Sequence, residues 1–542
     1  MYNTILKKFE SEVSLLSQRI FLSLGTKEKK ASVKHIKKSL NISKDIMKQI
    51  ENFKRKNEIY PEWVKLDFVT QEKQLPFEKV VDEMLRTRRN YIEFGVSFDK
   101  NWIISFLPEV INANAFVRPI KGSKQRRLEL AVNNVNHYLK HYTNVKRAFS
   151  IEDYEQKEVI RFETQGYFFT PEAFYELEPS GGIKGVRKSK ELHHEIDEMI
   201  TTATYYLKNE MKENGQYEYG RFPHFDRSIS FYNILRHCST TYSLIEGLSY
   251  LNEDIIEIQN AFTYIHQNAY YECGEVAYIY DTTRDINEIK LGQNAAYIFA
   301  VVEFIKNSEP NTGLLKRAQK VANGILNMID TDTLETYHVL NYPELSVKEK
   351  FRIIYYDGEA ALALLRLYQV DQNEKWLNAV IRMFDKFIAQ NYWKYHDHWL
   401  SYCTNELVKI KPEARYIEFG LKNVSGYLDY IYHRETTFPT FLEMLTAAYQ
   451  LIGNAKAMGF ENTVRENIDE DFLVATLHHR ANYQRAGYFY PEVAVCAGST
   501  HRFITLRFNA HDDGRTSDYL YRNNSHRIAS RIVWFAFVAA DC

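Results

Sequence analysis

The chain of 542 residues sets 69 basic against 70 acidic residues for a formal charge of -1, so no global field favours nucleic acid or an anionic membrane. Hydrophobic residues make up 45%, enough for large cores, yet no apolar run reaches the roughly eighteen residues that would span a bilayer. Cys238, Cys273, Cys403, Cys496 and Cys542 are scattered with no CxxC pair, which indicates neither a disulfide framework nor a structural zinc site. The opening Met1-Tyr-Asn-Thr-Ile-Leu-Lys-Lys-Phe-Glu10 lacks a signal-peptide core and cleavage site, and a reducing cytoplasm is the expected setting. The 39 Tyr and 33 Phe fit either bulky packing in a helical core or a cleft whose rings stack on a flat ligand face.

In chain order, residues 1 to about 88 read as helices rich in Lys and Glu. The basic run from Lys27 to Lys38 reads as a solvated helix face, with contact to a polyanion as the other reading. Near Tyr91 the period changes. Tyr91-Ile-Glu-Phe-Gly-Val-Ser-Phe98 and Trp102-Ile-Ile-Ser-Phe106 alternate around Asp99-Lys-Asn101, which predicts a hairpin. Val159 to Phe169 reads as a further strand, and Pro179-Ser-Gly-Gly182 ends the region. Residues 1–185 are therefore expected to form a smaller α+β N-terminal region of unassigned role.

Beyond Gly185 two kinds of helix alternate. Helices near 190–213, 253–272, 311–328, 372–390, 413–433 and 463–480 are amphipathic, with charged faces such as Lys190-Glu-Leu-His-His-Glu-Ile-Asp-Glu198. Between them come six more apolar helices, opening near Asn233, Gln293, Tyr356, Asp397, Thr436 and Asn523. A helix apolar nearly all round must be buried, and an amphipathic one can cover it. Six outer/inner hairpins closing on themselves satisfy both sets. The expected class is mainly α: an (α/α)6 toroid over 186–542, preceded by the α+β region. Glu275–Asp281 and Leu334–Leu340 read as strand excursions that would build cleft walls.

The phrases Tyr355-Tyr-Asp-Gly-Glu-Ala-Ala-Leu-Ala-Leu-Leu365, Glu374-Lys-Trp-Leu-Asn-Ala-Val380 and Asp397-His-Trp-Leu400 resemble recurrent phrases of the six-hairpin glycosidase-like superfamily. The resemblance covers roughly residues 190–542 and implies an (α/α)6 toroid. Hydrolases, lyases and sugar epimerases share that fold, so it does not choose a reaction.

If the inner helices run parallel, their first turns share one rim, where unpaired N–H groups and partial positive charge favour carboxylates and anions. That rim would collect Asn233, Arg236 and His237; Gln293 and Asn294; Tyr356, Asp357 and Glu359; Asp397, His398 and Trp399; Arg434 and Glu435; and Asn523, Asn524 and His526. Helix capping explains Asp or Asn at any one start, and a buried histidine is commonly a satisfied core residue. Capping does not explain the recurrence of His and Trp.

Glycoside hydrolysis needs two carboxyl groups across the scissile bond, and Asp357, Glu359, Asp397 and Glu435 are the candidates. Epimerisation or isomerisation needs a base beside a carbonyl, for which His237, His398 and His526 are suited. A lyase would set a Tyr or His base beside Arg236 or Asn233. Asn294, Tyr356, Trp399, Arg434 and Asn523 are expected to bind substrate. Arg236, Arg227 and Arg434 extend the expected substrates to acidic or capsule-like glycans. His511, Asp512, Asp513 and Asp518 fit no metal-loop spacing, and no GxGxxG, P-loop or HExxH occurs in a supporting context, so no cofactor or metal is expected. The leading expectation is a hydrolase acting on a carbohydrate. The alternatives are an epimerase or lyase in the same cleft, or a toroid that binds or modifies a peptide or glycan partner.

Overall fold

A computed structural model describes residues 2–487 apart from 14–18, 27–30, 38–41, 88–90, 121–126, 223–226, 229–230, 435 and 437–438. It divides into two compact units, one built mainly on residues 1–190 and one mainly on residues 191–484.

The first unit is α+β. Its strands are β1 (Arg19–Gly25), β2 (Ser32–Lys37), β3 (Trp63–Pro76), β4 (Gly95–Ser97), β5 (Ser105–Phe106), β6 (Val117–Pro119), β7 (Leu128–Leu130), β8 (Glu158–Phe169) and β9 (Phe174–Glu176). Its helices are α1 (Asn3–Glu12), α2 (Ile42–Asn57), α3 (Phe77–Arg86), α4 (Pro108–Ala113) and α5 (Val132–Tyr142). The main sheet is antiparallel in the order β2-β1-β3-β8-β4-β5, with β9 also on β8. Successive residues of β3 enter two different cores, because strand side chains alternate between faces. Val64, Leu66 and Phe68 meet Phe9, Ile46 and Ile50 on one face. Trp63 and Val69 meet Phe77, Val110 and Leu139 on the other.

This corrects the helical expectation for residues 1 to about 88, which contain three strands. β1 is buried on both faces and carries an apolar run without alternation, whereas Val64-Lys65-Leu66-Asp67-Phe68 of β3 does alternate, a strand signal that the helical reading missed. It also corrects the solvated-helix reading of Lys27–Lys38: residues 32–37 are β2, an edge strand, Ala31 before it is buried, and residues 27–30 and 38 lie outside the described residues. The expected hairpin is present. Asp99 organises its turn by accepting N–H groups from Asn101, Ile103 and Ile104.

The second unit carries the alternating helices. They are α6 (Leu192–Asn209), α7 (Ile234–Tyr250), α8 (Gln259–Asn268), α9 (Leu291–Lys306), α10 (Thr312–Asn327), α11 (Tyr355–Asp371), α12 (Glu374–Ala389), α13 (His398–Ile410), α14 (Ala414–Ser425), α15 (Leu428–His433), α16 (Thr440–Ala457), α17 (Glu461–Asn467) and α18 (Glu470–Gln484). Two-residue strands β10 (Arg221–Phe222) and β11 (Arg227–Ser228) precede α7. A sheet runs in the antiparallel order β12 (Tyr270–Cys273), β13 (Val276–Asp281), β14 (Glu288–Lys290), β15 (Val339–Asn341) and β16 (Val347–Glu349). The first expected excursion is thus β13, while the second begins later than expected, at Val339.

The helices have the inner and outer characters of an (α/α)6 toroid. In α9 every residue from Leu291 to Val302 is buried. In α12 only one stripe is buried, made of Trp376, Leu377, Val380, Met383, Phe384 and Phe387. Inner helices α7, α9, α11, α13 and α16 pack in series, each on the next, while α10, α12, α14 and α18 cover α9, α11, α13 and α16. The sixth inner helix, expected from Asn523, lies outside the described residues.

Candidate active site

The first turns of four inner helices meet, and two glycines let them approach. A methyl group on Gly292 of α9 would lie 1.9 Å from Glu359 Oε2 of α11. One on Gly358 of α11 would lie 2.2 Å from Asp397 Oδ2 at the start of α13. His398 then links α13 to α16. Its Nδ1 lies 3.8 Å from Asp397 Oδ1 and its Nε2 lies 3.6 Å from Glu443 Oε2. Asp357, Glu359, Asp397, His398 and Glu443 thus form one group.

Asp397 caps α13. Its Oδ1 accepts the Trp399 N–H at 2.9 Å, while Oδ2 is buried and has no hydrogen-bond partner among the described residues. Asn423 of α14 clamps the Asp397 backbone, accepting its N–H at 3.2 Å and donating to its carbonyl at 2.8 Å. The residue is 0% exposed. Burial, with Glu359 and Asp357 adding negative charge nearby, pushes its carboxyl well above the usual carboxylate range despite backbone N–H groups from Trp399 and Leu400.

Asp357 is held by donors instead. Its Oδ1 accepts from the Thr336 hydroxyl and from His338 Nε2 at 3.3 Å, and its Oδ2 accepts from the Tyr392 hydroxyl at 3.2 Å. His338 Nδ1 accepts the Arg352 N–H at 2.9 Å, so the proton of the neutral imidazole sits on Nε2, toward Asp357. Glu359, two residues further along α11, is half-buried.

Around these carboxyls lie aromatic rings and a cation. Tyr356 is buried, and burial raises its phenol above the ordinary value, with Glu359 adding to the rise and Arg352 and Arg236 opposing it. Half-buried Arg236 is therefore within electrostatic reach of the site. Trp399 stacks on Phe299 with centroids 5.0 Å apart and stays half-buried. Tyr355 packs edge-on against His398 at 5.0 Å and is exposed, as are Phe351, Tyr395 and Tyr430. Among the described residues no group of three or more His, Cys, Asp or Glu is arranged to hold a metal ion.

Other expected site residues have structural partners. His237 is buried between the Tyr232 hydroxyl, 2.7 Å from Nδ1, and the Ala261 carbonyl, 3.0 Å from Nε2. A carbonyl only accepts, so Nε2 carries the proton and both nitrogens are satisfied. Burial lowers its pKa to about 4. The structure corrects the placement of His237 on the shared rim: it is a satisfied core histidine. Asn294 likewise binds backbone on both sides, accepting from Ile279 N–H and donating to the Lys290 carbonyl, each at 2.8 Å. Asn233 is the N-cap of α7, accepting the Arg236 N–H at 3.0 Å. Arg434 is exposed beyond α15, its carbonyl taking a hydrogen bond from Arg480 at 2.6 Å. Glu435, Asn523, Asn524 and His526, together with His511, Asp512, Asp513 and Asp518, lie outside the described residues.

Sequence reasoning missed Glu443, His338 and Tyr392. Glu443 had a signal: it is a carboxyl in the first turn of the apolar helix α16, buried where solvation cannot explain it. His338 and Tyr392 lie outside the helices whose first turns drew the search. Deeper between α7, α9, α11 and α13, Arg366 binds Glu406 and the Tyr242 hydroxyl. There burial, reinforced by Glu303, raises the Glu246 carboxyl to about 8.

No protein-family model and no curated protein matches the chain. Part of it is similar to solved structures. A cellobiose 2-epimerase from Bacillus thermoamylovorans B4167 matches 59% of this chain and 99% of its own at 11% identity and a TM-score of 0.45. A GH76 α-mannanase from Bacteroides thetaiotaomicron matches 64% of this chain and 96% of its own at 14% identity and a TM-score of 0.41. A D-mannose isomerase matches 59% of this chain and 97% of its own at 13% identity and a TM-score of 0.41.

Proposed function

We propose that the toroid, taken as residues 186–542, is a carbohydrate-active enzyme that hydrolyses a glycosidic bond at the rim formed by the first turns of α9, α11, α13 and α16. The observation that carries this reading is the convergence of Glu359, Asp397 and Glu443 from three helices. One of these carboxyls, Asp397, is held by burial toward its protonated form. Glycosidases need one protonated and one ionised carboxyl, and unlike environments are how two such groups are kept apart. Half-buried Glu359 is the carboxyl placed to touch substrate. Asp397, 0% exposed, acts as a positioning residue that stores a proton behind it. Asp357 is held by three hydrogen-bond donors. Exposed Tyr355 and half-buried Trp399 offer ring faces for stacking, and Arg236 supplies a cation for an acidic substituent. A cytoplasmic setting belongs to the same proposal, supported by buried free thiols at Cys238 and Cys403.

A second reading, epimerisation, is favoured by one feature: His398 sits between Asp397 and Glu443, an arrangement able to relay a proton. The deciding experiment is turnover of neutral and uronate-containing oligosaccharides by wild type and by Glu359→Gln. Hydrolysis predicts new reducing ends, lost about 100-fold or more in the variant with binding retained. An unchanged chain length with a new epimer in the NMR spectrum would replace the first reading by the second. Absence of both binding and turnover in wild type would remove both.

A further inference from the structure

The first unit holds a cavity of about 710 Å³ beside the edge strand β2, within the size range of small-ligand pockets. Its walls come from β2, the last turns of α2, the turn after β4 and the end of α5. Three observations define what it would take.

Charge comes first. Among the described lining residues Lys34, Lys56 and His141 are the basic ones and none is Asp or Glu. Lys56 makes no ion pair among the described residues, and the Lys34 ammonium meets the neutral Gln49 amide at 2.9 Å. The described lining therefore carries the charge of two lysines without an acidic partner. Shape comes second. Exposed Ile103 and half-buried Phe53 and Tyr142 supply an apolar wall against which a ring can lie. The third is an unsatisfied donor. Trp102, 2% exposed, lines the cavity with its indole N–H buried and without a hydrogen-bond partner. An orphaned buried donor costs about 1–3 kcal/mol. Trp102 also has φ 62°, a conformation unfavourable for a bulky residue, held there by the Asp99 turn. A ligand oxygen would satisfy that donor.

We propose that this cavity binds an anion carried on a sugar-sized ring. Lys34, Lys56 and His141 meet the carboxylate or phosphate, the wall of Phe53, Ile103 and Tyr142 meets the ring, and the Trp102 N–H meets a ring oxygen or hydroxyl. The inference concerns the first unit alone and does not depend on the reaction proposed for the toroid.

Isothermal titration of the full chain with glucuronate, glucose 6-phosphate, glucose and inorganic phosphate tests it. At least one ring anion is expected to bind, with glucose and inorganic phosphate roughly tenfold weaker or more. Comparison of glucuronate with glucose 6-phosphate tells which anion is preferred. Lys56→Glu, an exposed change on α2, is expected to weaken that binding roughly tenfold, with an unchanged circular-dichroism melt. Arg236→Ala removes the cation proposed for the toroid rim, so heat from that rim is lost in it, whereas the Lys56-dependent heat is expected to remain. The proposal is overturned by failure of both ring anions to bind, by equal binding of glucose or inorganic phosphate, by indifference to Lys56→Glu, or by loss of the Lys56-dependent heat in Arg236→Ala.

Discussion

Asp397 illustrates how one residue can be read correctly for place and incompletely for role. One of its oxygens is an ordinary helix cap, the other a buried acceptor with no donor among the described residues. His237 shows the opposite case, where the residue type suggests chemistry and the surroundings remove it. Burial keeps its imidazole neutral down to about pH 4, whereas in the unfolded chain it takes a proton near 6.5. Its contribution to stability is therefore fully present above pH 6.5 and is lost as pH falls from 6.5 to 4, a change of about 3 kcal/mol. Urea unfolding at pH 7.5 and 4.5 should show that loss in wild type and a flatter profile in His237→Gln. Parallel profiles would mean that His237 is not the titrating group.

At the scale of elements, the approach of α11 to α13 depends on Gly358. Alanine is favoured over glycine inside a helix by about 1 kcal/mol. Here the added methyl would sit 2.2 Å from Asp397 Oδ2 and 3.0 Å from Trp399 Cβ. Overpacking of this kind costs about 1–3 kcal/mol, and Asp397 is clamped by Asn423 and has little room to yield. Gly358→Ala should therefore lower the melting temperature. A rise would show that the helices can separate without loss. The same packing explains which carboxyls meet: α16 lies against α13, so Glu443 reaches His398.

For the whole molecule, each unit has its own interior. The first has two apolar cores on either face of its sheet, and the second is built around serially packed inner helices. Units with separate cores unfold as separate cooperative blocks. Differential scanning calorimetry should resolve two transitions, and a sugar bound at the toroid rim should raise only one of them. A single two-state transition would contradict this.

The sequence by itself determined the alternation of buried and amphipathic helices, because a 3.6-residue period and a helix apolar all round are local properties of the chain. It also placed Asp357, Glu359, Asp397 and His398 at helix starts that meet. It did not reveal β1, since a strand covered on both sides loses the alternation by which strands are recognised, and the Lys- and Glu-rich surroundings of β2 and β3 favoured a helical reading there. Nor could it separate His237 from His398, both in the first turns of inner helices. Only the tertiary structure set one against Tyr232 and Ala261 and the other between two carboxyl groups, because a side chain's chemistry is fixed by neighbours distant in sequence.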